Sequence, residues 1–116
     1  MNNETVTYTL LLPTDDTGYS WECRELDKES TLQTVKLNIN NDNSISNKII
    51  QHNKSTILNM NISIKEIRIY LTNLSQAKFA KKFHIPLSTL SHWEQEQRTP
   101  PEYVNWMIKE IILNNM

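Results

Sequence analysis

The chain has 116 residues, a net charge of −1, 38% hydrophobic and 22% charged residues, one Gly and one Cys. That is one compact domain or two very small ones, globular rather than disordered, with no internal disulfide and no apolar run near the roughly 18 residues of a membrane span. The start, "MNNETVTYTLLLPTDD", has no basic stretch before its short apolar run, so neither a signal peptide nor a membrane partner is expected, and the lone Cys23 suits a reducing cytoplasm. Charge is uneven along the chain. Residues 1–60 carry five Lys/Arg against eight Asp/Glu, whereas residues 61–116 carry seven against five. A nucleic-acid face is thus weakly favoured in the second half alone.

The first forty residues alternate with period two. Val6, Tyr8, Leu10 and Leu12 fall on one face, with Thr5, Thr7 and Thr9 opposite. Tyr19, Trp21 and Cys23 alternate with Ser20, Glu22 and Arg24, and Val35, Leu37 and Ile39 alternate with Lys36, Asn38 and Asn40. These runs predict three strands. "PTDDTG" and "DKES" read as turns between them, with Gly18 available for positive φ. The expectation is an α+β chain. A small antiparallel β-meander of about three strands spans 1–43, and 44–60 is a linker or a short helix. An all-α region of about four helices then spans 61–116.

From Ile62 the period is helical. Ile64, Ile67 and Leu71 fit one face of a first helix. Ser75 suits an N-cap for a second, where Phe79, Ala80 and Phe83 face inward and Lys78, Lys81 and Lys82 form an outward cationic patch. Pro86 pushes Ile85 out of the α region, ending one helix before the next, in which Leu90 and Trp93 face inward. "RTPP" breaks that helix, and Pro101 opens a last one. The last helix carries Val104, Met107, Ile108 and Ile111 on one apolar face and Tyr103, Trp106 and Leu113 on another. Two apolar faces predict that it both closes the local core and meets something else. His52, His84 and His92 share no metal-ligand spacing with Cys23, and no nucleophile–base pair or phosphate-cradling Gly loop is present. No enzyme, metal or cofactor is expected.

"LSQAKFAKKFHIPLSTLSHWEQEQRTPP" resembles the Xre/Cro-type (lambda-repressor-like) helix-turn-helix of phage repressors and bacterial antitoxin regulators. The resemblance rests on Leu74, Ser75, Gln76, Phe79, Ala80, Ile85, Thr89, Leu90, Trp93, Glu94 and Pro100. With the final helix it covers about residues 62–114. It implies that the second helix crosses the DNA backbone while the third enters the major groove. Gln76 would then lie beside phosphate at a helix N-terminus, with Lys78 and Lys81 near the backbone. Leu87, Ser88, Ser91 and His92 would face base edges. Thr89 would reach a phosphate or a base, and Arg98 and Thr99 would pass the backbone again. The implied activity is sequence-specific transcriptional regulation, as a dimeric repressor on a palindromic operator of double-stranded DNA; the dimer contact is expected either at Tyr103, Trp106 and Leu113 or through edge-to-edge pairing of the N-terminal sheet.

This sequence departs from the family at Pro86, where the third helix usually has a polar N-cap, at Leu87, an apolar side chain at a reading position that can meet a thymine methyl, and at three further places. His84 stands at a turn position that is usually Gly, a mild change because His tolerates positive φ. Glu96 stands at the usual Gly after the third helix, which predicts a helix running one turn longer. In many members an Arg one residue nearer to the Gln pairs with the Glu of "WE". Arg68 is one residue too far, so its spacing does not predict a pair with Glu94. Two other readings stay open. Residues 1–60 could bind a protein partner, as in antitoxins or phage anti-defence proteins that regulate their own operon, or the whole motif could dock on protein instead of DNA.

Overall fold

The computed structural model describes residues 6–115; Thr5 lies outside them. The chain folds as two compact units that divide between Asn59 and Met60. It is an α+β protein with a two-stranded antiparallel sheet and seven helices among the described residues.

In the N-terminal unit, β1 (Thr7–Pro13) pairs with β2 (Trp21–Asp27), with Thr7 opposite Asp27 and Pro13 opposite Trp21. The connecting loop is held by its own side chains. Asp15 Oδ1 accepts from Thr17 N–H (2.9 Å) and from its hydroxyl (2.6 Å), and Thr14 N–H donates to Ser20 O (2.9 Å). Gly18 sits at φ +77°, where an L side chain is strained. Its carbonyl accepts from Trp21 Nε1 (3.0 Å). Leu10 is buried, and Tyr8, Leu12 and Leu26 are half-buried on the same face.

The expected third strand is a helix, α1 (Lys28–Ile39). "DKES" is a cap rather than a turn: Asp27 Oδ1 accepts from Ser30 N–H at 2.7 Å, and Glu29 lies in the first turn, where the helix dipole favours it. Leu32 and Val35 then fall on one helical face and are buried, while Leu37 is 64% exposed. The alternation of Val35, Leu37 and Ile39 was therefore a coincidence of two periods. Residues 44–60 hold α2 (Ser44–His52), capped by Asn43, and α3 (Lys54–Asn59). Ser46 Oγ donates to Asn38 Oδ1 (3.0 Å), a buried polar link between α2 and α1.

Asn53, between α2 and α3, substitutes for a missing strand. Its Oδ1 accepts from Leu11 N–H (2.7 Å), and its Nδ2 donates to Leu11 O (2.8 Å) and Ile49 O (2.7 Å). One side-chain amide thus satisfies both outward backbone groups of Leu11, as a neighbouring strand would. Thr56 Oγ1 reaches the next outward carbonyl of β1, at Thr9 (3.4 Å).

The C-terminal unit holds α4 (Ile64–Glu66), which runs into a π-helical turn at Ile67–Thr72, then α5 (Gln76–Phe83), α6 (Leu87–Glu94) and α7 (Glu102–Asn114). A capping box starts α4. Ser63 Oγ accepts from Glu66 N–H (3.1 Å), and Glu66 Oε1 accepts from Ser63 N–H (2.9 Å). Ile64, Ile67, Leu71, Phe79, Leu90, Ile108, Ile112 and Leu113 form the core. Each large side chain removed from water contributes about 1.5–3 kcal/mol. Phe83 and Trp93, expected in that core, are only half-buried.

The faces of α7 differ from expectation. Leu113 is 1% exposed and belongs to the core, so it is not on the outward face with Tyr103 and Trp106. Met107 and Ile111, expected inside, are exposed beside them. The error was one of phase. Lys109 is an inward position of α7, which the sequence disguises as polar. It is buried with Nζ donating to Met60 O (2.9 Å), and burial pushes its pKa down.

Candidate nucleic-acid interface

Helices α5 and α6 are joined by a tight turn. Ser75 caps α5, its Oγ accepting from Lys78 N–H at 3.2 Å. His84 ends it at φ +56°, with Ile85 N–H donating to Ala80 O (2.9 Å). Histidine therefore does take the left-handed position. Pro86 precedes α6, which begins at Leu87 with no side-chain cap.

What fixes α6 is Glu94, whose side chain is 2% exposed. Its carboxylate accepts from Arg68 Nε and Nη2, both at 2.8 Å, and from Gln76 Nε2 at 3.0 Å. Arg68 Nη1 donates to Leu74 O (3.0 Å). This one cluster ties the π turn, α5 and α6 together. Burial pushes the Glu94 carboxyl up. The hydrogen bonds from Arg68 and Gln76 and the charges of Arg68 and Lys65 outweigh that and hold it below its ordinary range. Its hydrogen bond to Glu94 likewise raises the Arg68 pKa.

The Arg68–Glu94 pair is thus present although Arg68 is one residue too far along. The π turn is the reason. Asn73 N–H donates to Arg68 O (2.9 Å), five residues back, where an α-helix bonds four back. The wider turn absorbs the extra residue. Thr72 Oγ1 donates to the same carbonyl (2.6 Å), and Asn73 closes the turn at φ +55°. The sequence cue was Asn73, a residue suited to left-handed backbone, together with Thr72.

The second correction is at Glu96. The helix does not run on; α6 ends at Glu94, and Glu96 itself takes φ +60°. Gln97 N–H then donates to His92 O (2.9 Å), closing the helix end. Left-handed backbone costs an L residue other than Asn or Asp about 1–2 kcal/mol, and Gly loses more entropy on folding. Glu96→Gly is therefore expected to raise stability by about 0.5–1 kcal/mol. A urea midpoint that does not move up would show that the Glu96 side chain compensates the strain.

The residues expected to meet DNA divide by exposure. Leu87 (49%), Ser88, Arg98 and Thr99 are exposed, and Thr89, Ser91 and His92 are half-buried. Ser88, Ser91 and His92 on α6 and Gln95 at its C-cap recur at helical spacing, and Gln95 Nε2 donates to Ser91 Oγ (3.1 Å). Gln95 is exposed and was missed by the sequence reading. Lys78, Lys81 and Lys82 are exposed on α5, and Lys82 Nζ also lies 5.7 Å from the centre of the Phe83 ring. Gln76 is different: its side-chain amide is held by Glu94, so what it can offer a ligand is its backbone N–H, one of the first-turn donors that an α-helix leaves without an intrahelical partner.

A family model described as helix-turn-helix matches residues 64–103. No curated protein and no solved structure matches the chain. Among the described residues, no helix is long and apolar enough to cross a membrane. The motif residues, the tight turn between α5 and α6, and that match agree: residues 64–103 carry a helix-turn-helix of the Xre/lambda-repressor-like type.

Proposed function

We propose that the protein is a sequence-specific transcriptional repressor that binds a palindromic operator as a homodimer. The carrying observation is the outward face of α6 and its C-cap residue Gln95. Leu87, Ser88, Ser91, His92 and Gln95 present a methyl-seeking group, two hydroxyls, an imidazole and an amide, all suited to base edges. None of them is a Lys or Arg, so the charge for the DNA backbone comes from Lys78 and Lys81 on α5 and from Arg98 beyond α6, with Thr99 adding a hydroxyl. Thr89 adds a hydroxyl, and the N-terminus of α5 at Gln76 adds backbone N–H groups for a phosphate.

One such helix reads a short half-site, and two are needed for useful specificity. The second copy would meet the exposed apolar stripe of α7, formed by Tyr103 (64%), Trp106 (42%), Met107 (51%) and Ile111 (42%).

The test is binding to the DNA upstream of its own gene, titrated against salt. Unlabelled promoter DNA is expected to compete far better than random DNA of equal length; equal competition would sink the proposal. Ser88→Ala and His92→Ala are each expected to cost about 1–3 kcal/mol on the operator and to relax specificity. Lys81→Ala is expected to weaken all sequences alike and to flatten the salt slope by about 1.

A further inference from the structure

The two edges of the N-terminal hairpin are treated differently. Thr14 N–H bonds to Ser20 O, so in this antiparallel pair the even-numbered residues of β2 bond to β1 and the odd-numbered residues turn their N–H and C=O outward. The odd-numbered residues of β1 do the same on the other edge. That edge is closed by Asn53 at Leu11 and by Thr56 at Thr9. On β2 the outward groups belong to Trp21, Cys23 and Glu25, and among the described residues nothing bonds them. Glu22, Cys23, Arg24 and Glu25 are all exposed. No Lys, Pro or bulge interrupts the strand between Trp21 and Asp27; the charges it does carry, Glu22 and Arg24 among them, are of opposite sign and so guard against unlike partners while leaving a self-complementary edge.

We propose that β2 pairs along this edge with β2 of a second copy, antiparallel, about a two-fold axis through Cys23. Side-chain order selects this occupant and this register. With Cys23 opposite Cys23, the outward groups of Cys23, Trp21 and Glu25 meet outward groups of the same residues, as a ladder requires. Glu22 of each copy then stands opposite Arg24 of the other, at the closely spaced, non-hydrogen-bonded positions, where side chains interact most strongly. Shifting the axis by one residue, to Arg24, would set Arg24 against Arg24. The resulting four-stranded sheet has a common size for a stable sheet, whereas two strands alone are marginal. This surface lies in the N-terminal unit and does not depend on DNA binding.

Cys23 is the only thiol, so a short bis-maleimide can join two copies only there. The full chain, without DNA, is expected to cross-link as a dimer. Glu22→Arg and Arg24→Glu each turn two attractive pairs into repulsive ones and are expected to cut cross-linking about tenfold. An equal mixture of the two variants is expected to recover the parent yield, and only as the heterodimer, which mass spectrometry distinguishes. No pairing within one chain can produce that recovery. Single variants that cross-link like the parent, or a mixture that stays uncoupled, would overturn the proposal. Should either single variant fail to fold, the double variant E22R/R24E decides, since it restores both pairs between identical copies: parent-level cross-linking supports the pairing and its loss refutes it. Failure of operator binding would leave all these outcomes unchanged.

Discussion

Replacing Arg68 with Ala is expected to cost about 3 kcal/mol of stability. It leaves the Glu94 carboxylate, 2% exposed, with Gln76 as its remaining hydrogen-bond donor. Breaking one side of a buried ion pair costs about 3–5 kcal/mol, and Arg68 keeps 14% side-chain exposure, which places the loss near the lower end. Arg68→Lys should recover little, because a single ammonium cannot make the two parallel bonds to Glu94 and a third to Leu74 O. The parent's pH profile carries the same signature. The pKa of Glu94 is lowered in the folded state, so its contribution is complete above the ordinary glutamate range. It is lost as pH falls through the lowered value. Chemical denaturation from neutral to acid pH should show that loss in the parent and a shallower one in Arg68→Ala. Equal acid slopes in the two proteins would mean that Arg68 does not hold the Glu94 charge. Because Glu94 locks α6 to its neighbours, the DNA binding proposed for α6 should weaken together with stability in Arg68→Ala.

Asn53→Leu is expected to destabilise the N-terminal unit by about 2–3 kcal/mol despite its better hydrophobicity. The amide is 4% exposed and serves Leu11 N–H, Leu11 O and Ile49 O at once. An apolar side chain of similar size leaves a half-buried donor and acceptor without partners, at about 1–3 kcal/mol for the set once some water returns. Asn53→Asp is the sharper control. Its carboxylate can still accept from Leu11 N–H but sets negative charge against two carbonyl oxygens, so it should be at least as damaging as Leu. Amide exchange at Leu11 reads the local effect directly. Unchanged protection there in Asn53→Leu would show that the side chain is dispensable.

The helical half was legible because its signals are local. Ser75, Pro86 and the spacing of Ile64, Ile67 and Leu71 act within one or two turns, and the structure realises each of them. The failures came where two local readings competed and distant packing chose between them. Asp27–Ser30 has turn composition and also cap composition, and the cap won because Leu32 and Val35 have the sheet to cover. On α7, burial of Lys109 shifted the inward face by one position, and Leu113 went with it. Nothing in a hydrophobicity pattern announces a buried lysine. Asn53 was invisible for a different reason: its role is to finish a strand more than forty residues earlier in the chain, and sequence pattern carries no such distance. Of the proposed DNA-facing residues, the side-chain types and spacing were readable, while the Arg68, Gln76 and Glu94 cluster that holds them required the backbone path.

The π turn at Ile67–Thr72 changes what a spacing rule means here. Each residue added to an α-helix rotates everything beyond it by about 100° and advances it by about 1.5 Å. An insertion before Gln76 would ordinarily swing Arg68 a quarter-turn away from Glu94. One widened turn swallows that rotation, like a leap day that keeps the seasons in place. In this chain the number of residues between Arg68 and Gln76 and the direction of the guanidinium are therefore separate quantities: the widened turn sets the second whatever the first alone would give.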